Sequence, residues 1–118
     1  MAESAGKQPS SEDLEKISIS YGSEKEFFMI QAASYLDFAS AERGYTLLEH
    51  DLYGEDLDQL RIEVIGPYHT LRLGAFENRA PAQALLGKVK KFFPTSLVLS
   101  GFIKPERIMK IHDRPPAP

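Results

Sequence analysis

The sequence contains no cysteine and no tryptophan in 118 residues. Without cysteine the chain forms neither a disulfide nor a thiolate nucleophile, and cysteine usage gives no information about its compartment. No apolar run reaches the roughly 18–20 residues that a membrane-spanning helix needs, so we expect no membrane insertion within this segment. The first residues also lack the basic and then apolar layout of a signal peptide. These absences leave two expectations open, a cytosolic protein or a soluble part of a longer exported chain.

Positive charge is scarce as well. Lys and Arg number 14 against 17 Asp and Glu, which gives a formal net charge of −3. Proteins that bind nucleic acid through sequence-independent attraction to phosphates need a positive surface, so we predict no nucleic-acid partner. A hydrophobic content of 42% with 26% charged residues is typical of a soluble globular domain. At this length we expect one domain with tails.

Catalytic and metal-binding patterns are also missing. The three histidines, His50, His69 and His112, are scattered and do not form an H-E-x-x-H motif. The sequence has no Walker loop and no G-x-G-x-x-G loop to hold phosphates. The acidic stretch 49–58 has the residue types for a pair of catalytic carboxylates, but a solvated loop is the commoner explanation. We therefore predict a protein that is not an enzyme, with no metal and no cofactor.

The chain repeats a short pattern at a constant offset, with Gln31 equivalent to Arg72 (72 − 31 = 41). In each copy an apolar strand is followed by an aromatic residue, a polar helix start and an alanine-lined helix. Internal repeats constrain the fold directly, and two copies indicate one domain built from two similar halves. Further equivalent pairs are Ile30 and Leu71, Ala33 and Gly74, and Tyr35 and Phe76.

Hydrophobic periodicity predicts strands near 27–34, 60–64, 68–76 and 96–103, with amphipathic helices after the first and third strands. Right-handed crossovers place both helices on one face of the sheet. We therefore predict the α+β class, with a two-layer βαββαβ ferredoxin-like sandwich of two helices on a four-stranded antiparallel sheet. The expected boundaries are a disordered tail or linker at 1–16, the domain at 17–110 and a Pro-rich tail at 111–118. Ile17 and Ile19 alternate with serines, which suggests an extra edge strand.

In this arrangement the first and third strands lie side by side at the centre, and Gln31 lies near Arg72. Strict alternation buries Phe28, Ile30 and Ala32 beneath the helices. In the second strand, Leu60, Ile62 and Val64 alternate with Arg61 and Glu63, so we expect it to be half-buried. The uncovered face is expected to carry Phe27, Met29, Gln31, Ala33, Tyr68, Thr70, Arg72 and Gly74. Such a mixture suits a flat polar ligand, although a simply solvated face, with Phe27 or Tyr68 covered by a tail, is the commoner explanation for a two-layer domain.

Two segments resemble a known family. Residues 30–35, Ile-Gln-Ala-Ala-Ser-Tyr, resemble the Val-Gln-Val-Gly-Ser-Phe motif of the SPOR (sporulation-related repeat) domain. Residues 71–76, Leu-Arg-Leu-Gly-Ala-Phe, resemble its second-half counterpart, Val-Arg-Val-Gly-Pro-Phe. The resemblance covers about residues 26–103, including the polar cap and alanine-rich helix start that follow the second motif.

The resemblance implies a βαββαβ domain that binds peptidoglycan glycan strands stripped of their stem peptides. It implies a place in the periplasm or cell envelope of a bacterium, at division sites, as a soluble part of a longer exported or membrane-anchored protein. The motif positions that carry over are Gln31, Ser34 and Arg72. The expected mechanism adds aromatic and apolar packing by Phe27, Met29 and Tyr68 and a hydrogen bond from Thr70.

Two other functions remain open. The same fold serves as a protein–protein adaptor if the acidic loop with Glu55, Asp56 and Asp58, or an exposed strand edge, contacts a partner in an envelope or division machine. RNA binding is the other alternative, because RNA-recognition domains share this strand–helix order and use the same face. The third strand lacks their aromatic signature, and the chain is acidic, so RNA binding is the less favoured function.

Overall fold

The structure of the protein is a computed structural model that describes residues 25–112. The strands are β1 (Glu26–Tyr35), β2 (Arg61–Ile65), β3 (Tyr68–Phe76), β4 (Leu97–Phe102) and β5 (Ile108–Ile111). The helices are α1 (Phe38–Asp51) and α2 (Arg79–Val89), and short 3₁₀ turns occupy Gly54–Leu57 and Pro105–Arg107. The predicted tail at 1–16, the suggested edge strand at Ile17 and Ile19, and residues 113–118 lie outside the described residues.

The strands form one five-stranded sheet in the order β4-β1-β3-β2-β5, and every neighbouring pair is antiparallel. The α+β class is therefore confirmed, and the order of the first four strands is consistent with a ferredoxin-like plan. The predicted count of four strands is wrong, because β5 adds a fifth beside β2. Only four residues long and close behind Pro105, β5 offers too short an alternation to stand out in the sequence.

Both helices pack on the same face of the sheet. Asp37 caps α1 by accepting a hydrogen bond of 2.8 Å from the Ser40 backbone amide. This bond, with a second one from the Ser40 hydroxyl, lowers the pKa of Asp37 below its ordinary value of 3.8. The cap therefore stabilises the helix at pH values above the ordinary carboxyl pKa. That contribution is lost as the pH falls through the lower pKa of Asp37 in the folded state.

The main core lies between this face and the two helices. Tyr45 and Leu48 of α1 and Leu85 and Val89 of α2 belong to one buried cluster with the inward side chains of the central strands. Helix α1 approaches the sheet closely at Gly44, where an added Cβ would lie 3.0 Å from Leu71 Cδ2. The small residue at this point permits the contact between helix and sheet.

The register of the two central strands reproduces the sequence repeat. Gln31 lies opposite Arg72, and Phe28 lies opposite Phe76. Gln31 and Arg72 are 41 positions apart. Adding 41 to Phe28 gives His69, and subtracting 41 from Phe76 gives Tyr35. His69 and Tyr35 are also paired. The two halves are thus related by an approximate twofold axis that passes between Gln31 and Arg72.

The face turned away from the helices, called the outer face below, is only partly open. Phe27 and Met29 are 5% and 0% exposed and form a second apolar cluster with Ile103 and Ile108. The expectation that Phe27 and Met29 lie on an uncovered face is therefore wrong. The physical reason is topological: β4 and β5 occupy opposite edges of the sheet, so the 103–107 connection and the start of β5 place Ile103 and Ile108 across the outer face.

We expect this covering connection to contribute measurably to stability. Ile108→Ala should lower the free energy of unfolding by about 2–4 kcal/mol, because a fully buried branched side chain is removed and a cavity remains. Urea denaturation measures the change. Leu36→Ala is the matched control, since Leu36 is among the most exposed large apolar residues. Equal stabilities for the two variants would show that Ile108 does not pack on the outer face of the sheet.

Candidate functional site

One part of the outer face remains accessible, where β4, β1 and β3 meet at the Ser34 end of β1. We call it the open corner and define it by Gln31, Ser34, Tyr68 and Leu97. Tyr68 and Leu97 are each 46% exposed, Ser34 is exposed, and Gln31 is half-buried. The open corner therefore combines an aromatic ring and an aliphatic side chain with an amide and a hydroxyl.

Ser34 reaches the open corner because β1 contains an irregularity after Gln31. Gln31 pairs with Arg72 and Ala33 already pairs with Leu71, so β1 carries one more residue than β3 over this step. Such a bulge reverses the alternation of side chains beyond it. Ser34 then shares the outer face with Thr70, and the two hydroxyl oxygens are 3.1 Å apart. The expectation that Ala33 lies on the uncovered face is wrong for the same reason, since its partner Leu71 belongs to the helix-side core.

Gln31 and Arg72 are joined directly, as the repeat predicted. The Gln31 Oε1 atom accepts hydrogen bonds from Arg72 Nη2 at 2.9 Å and from Arg72 Nε at 3.2 Å. Only the amide oxygen is able to accept from a guanidinium, so the orientation of the Gln31 side chain is fixed. Its amide nitrogen, a double donor, is the atom that remains for a ligand.

Beside the open corner, toward β2 on the same outer face, lies a buried ion triad of Arg61, Glu63 and Arg72. Arg61 Nε donates to Glu63 Oε2 at 2.7 Å, and Arg72 Nη1 lies 3.5 Å from Glu63 Oε1. The side chains of Arg61 and Glu63 are 0% exposed. Arg61 also donates to the backbone carbonyls of Gln59 and Gly74, at 2.7 and 2.9 Å. Arg61 and Glu63 thus fix the position of the Arg72 guanidinium from the β2 side.

The triad carries more positive than negative charge. Burial lowers the pKa of Arg72, the Glu63 carboxylate raises it, and Arg61 and Arg107 lower it further. Arginine nevertheless stays protonated at neutral pH. The triad thus combines two guanidinium groups with one carboxylate, and Arg107 adds to the positive field at Arg72. This part of the outer face is therefore locally positive in a chain that is acidic as a whole.

The residues predicted for the site divide into two groups. One group comes together at the open corner or directly beside it, namely Gln31, Ser34, Thr70, Tyr68 and Arg72. Within this group Thr70 is almost fully buried, and its hydroxyl contacts that of Ser34. Phe27 and Met29 lie under the 103–107 connection instead. The Met29 sulfur lies 3.4 Å from Arg61 Nη2 and 3.8 Å from Arg72 Nη1, so it packs against the triad and presents no surface to a ligand.

Sequence patterns did not identify Arg61 and Glu63 as site residues, because alternation with apolar neighbours made them resemble the solvent-exposed face of a half-buried strand. A signal was nevertheless present in the pairing of an Arg and a Glu two residues apart. On a strand these side chains share one face, and the predicted sheet placed that strand beside the one carrying Arg72. The missing fact was the connection at 103–107 that covers them.

Other chemistry is sparse in the described part of the chain. No group of three or more His, Cys, Asp or Glu side chains in residues 25–112 is placed to hold a metal ion. Over the same residues, no helix combines the length and apolar character required to cross a membrane. His69 packs edge-on against Phe38, with ring centroids 6.0 Å apart, at the start of α1. These residues therefore add no second candidate centre.

Comparison of the chain with protein-family models, with curated proteins and with solved structures finds no match. Support for a function therefore comes from the geometry of the open corner and from the resemblance of residues 30–35 and 71–76 to the SPOR motif.

Proposed function

We propose that the protein is a non-catalytic binding module for peptidoglycan glycan strands that have lost their stem peptides. In this proposal it is a SPOR-like domain, a ferredoxin-like sandwich with an added edge strand, and it directs an envelope or division protein of a bacterium to the wall. The single observation that supports it best is the convergence of Gln31, Ser34 and Arg72. These are the three positions carried over from the SPOR motif, and they meet at the accessible part of the outer face.

The open corner suits a sugar chain physically. The exposed Tyr68 ring offers an apolar face on which a pyranose ring packs, and Leu97 extends the apolar surface on the far side of Gln31. Between them, the Gln31 amide nitrogen and the Ser34 hydroxyl offer hydrogen bonds to ring hydroxyls and acetamido carbonyls. An apolar platform with a few fixed polar groups is the usual composition of a small-ligand site.

Binding to purified sacculi tests the proposal. We expect the protein to sediment with sacculi treated with an amidase that removes stem peptides, and much less with untreated sacculi. Gln31→Ala should weaken binding about tenfold, which corresponds to about 1.4 kcal/mol and to the loss of one or two hydrogen bonds. Gln83→Ala, an exposed glutamine on α2, is the control and should bind as the wild type does. Absence of binding to both sacculus preparations would contradict the proposal.

A protein–protein adaptor is the second candidate, supported by a different surface. Tyr53 is 78% exposed and directly precedes the 3₁₀ turn that carries Glu55 and Asp56. An exposed aromatic residue beside acidic side chains suits a partner with a basic and apolar patch. The sacculus experiment separates the two candidates, because an adaptor of this kind does not require the wall, and Gln31→Ala would leave its partner binding unchanged.

A further inference from the structure

The open corner offers hydrogen-bond donors to a ligand. The Gln31 oxygen is used by Arg72, so the two N–H groups of its amide nitrogen remain. Arg72 has five N–H groups: Nε and one on Nη2 point to Gln31, and those on Nη1 point to Glu63 and Met29. The second N–H on Nη2 has no partner among residues 25–112. A ligand group placed here must therefore accept several hydrogen bonds.

The charge beside the open corner favours an anion among such acceptors. Arg61 and Arg72 both contact the single carboxylate of Glu63, which is fully buried, and Arg107 adds a further positive charge near Arg72. The excess positive charge lies close to the accessible corner, where it attracts an anion and where added salt screens it in part. None of the four side chains that define the open corner is acidic. A carboxylate is the group that best matches both the donors and the field.

On this basis, and resting on the proposed function, we infer that Gln31 and Arg72 bind the free lactyl carboxylate of a glycan strand. That carboxylate does not exist while the stem peptide is attached, because the carbonyl carbon of the lactyl group is then part of an amide bond. Hydrolysis of the amide by an amidase adds water, releases the peptide amine and leaves the carboxylate on the sugar. Selectivity for stripped strands then arises from charge recognition as well as from the space that the peptide vacates.

A chemically matched pair of glycans tests this inference on the full chain. Denuded glycan is compared with the same glycan after its lactyl carboxylates have been converted to methylamides with a carbodiimide and methylamine. The two differ in charge but barely in size. We expect the wild-type protein to bind the methylamide at least about tenfold more weakly, and added salt should weaken binding to the carboxylate form more than to the methylamide.

Gln31→Glu is the variant that isolates the mechanism. The new carboxylate would occupy the position of the amide and pair with Arg72, so the fold is retained while the corner loses its outward donors and part of its positive field. We expect this variant to bind denuded glycan at least about tenfold more weakly than the wild type and to bind the two glycans nearly equally. Gln83→Glu introduces the same charge on exposed α2 and should keep the wild-type preference.

The outcomes separate the inference from the proposed function. Equal binding of both glycans by the wild type, or tighter binding of the methylamide, would overturn carboxylate recognition and leave glycan binding intact. An unchanged preference in Gln31→Glu would likewise overturn the role of Gln31 and Arg72. Binding of neither glycan would overturn the proposed function and the inference together.

Discussion

Glu63→Gln is expected to lower the free energy of unfolding by about 3–5 kcal/mol, since removing one member of a buried ion group leaves the other charges without compensation. The Glu63 carboxylate is fully buried and contacts both Arg61 and Arg72. The amide that replaces it keeps the volume but not the charge, so two buried guanidinium groups face each other without an intervening anion. Urea denaturation at neutral pH measures the loss.

Glu77→Gln is the matched control for this substitution. Glu77 forms an exposed ion pair with Lys25, with 3.1 Å between Nζ and Oε1, and exposed pairs contribute about 0–1 kcal/mol. If Glu63→Gln lowered the free energy of unfolding no more than Glu77→Gln does, that result would contradict a buried triad beside the open corner. The comparison also bears on binding, because the triad is what holds Arg72 against Gln31.

Gly74→Ala is expected to lower the free energy of unfolding by about 2–6 kcal/mol, through backbone strain and the displacement of a packed ring. Gly74 has φ +83°, a left-handed backbone conformation that residues other than glycine rarely adopt. An added Cβ would also clash with Cε2 of Phe76, so the ring has to move out of its packed position. Strain and displacement each contribute about 1–3 kcal/mol, and thermal or urea unfolding reports their sum.

Gly87→Ala provides a control of opposite sign. Gly87 lies within α2, and an added Cβ there would meet no atom within 4 Å. Alanine is a better helix former than glycine by up to about 1 kcal/mol, so this variant should be slightly more stable than the wild type. If both glycine variants were stabilised, Gly74 would not hold the irregularity that the register shows in β3.

The repeat is the part of the fold that the sequence predicted best. The repeat makes Gln31 and Arg72 equivalent and predicts that they lie side by side. In the structure their side chains form two hydrogen bonds. The prediction succeeded because a repeated strand–helix unit leaves few ways to bury two apolar helix stripes against one sheet. The order of the first four strands followed from the same argument.

The outer face was harder to predict, for two physical reasons. Alternation along a strand identifies a face but not what covers it, so Met29 was expected to be exposed and Arg61 was not expected to be buried. The covering residues, such as Ile108, are distant in sequence and belong to a strand too short to recognise. Bulges are the second reason, because strict alternation places Ser34 beneath the helices while the observed register places it on the outer face.

The motif resemblance and the geometry agree on Ser34 for independent reasons. The SPOR-like pattern named it as a binding position without regard to the side on which alternation placed it. The bulge after Gln31 then brings its hydroxyl beside Thr70 and the open corner. The agreement strengthens the proposal that this corner, and no other surface of the described residues, receives the glycan.

Chemical-shift mapping with a denuded glycan tests that claim most directly. We expect the largest backbone amide perturbations at Gln31, Ser34, Tyr68 and Leu97, with small changes on the solvent side of α1 and α2. Perturbations concentrated on the helices or on the 3₁₀ turn at Gly54–Leu57, with the open corner unchanged, would contradict it.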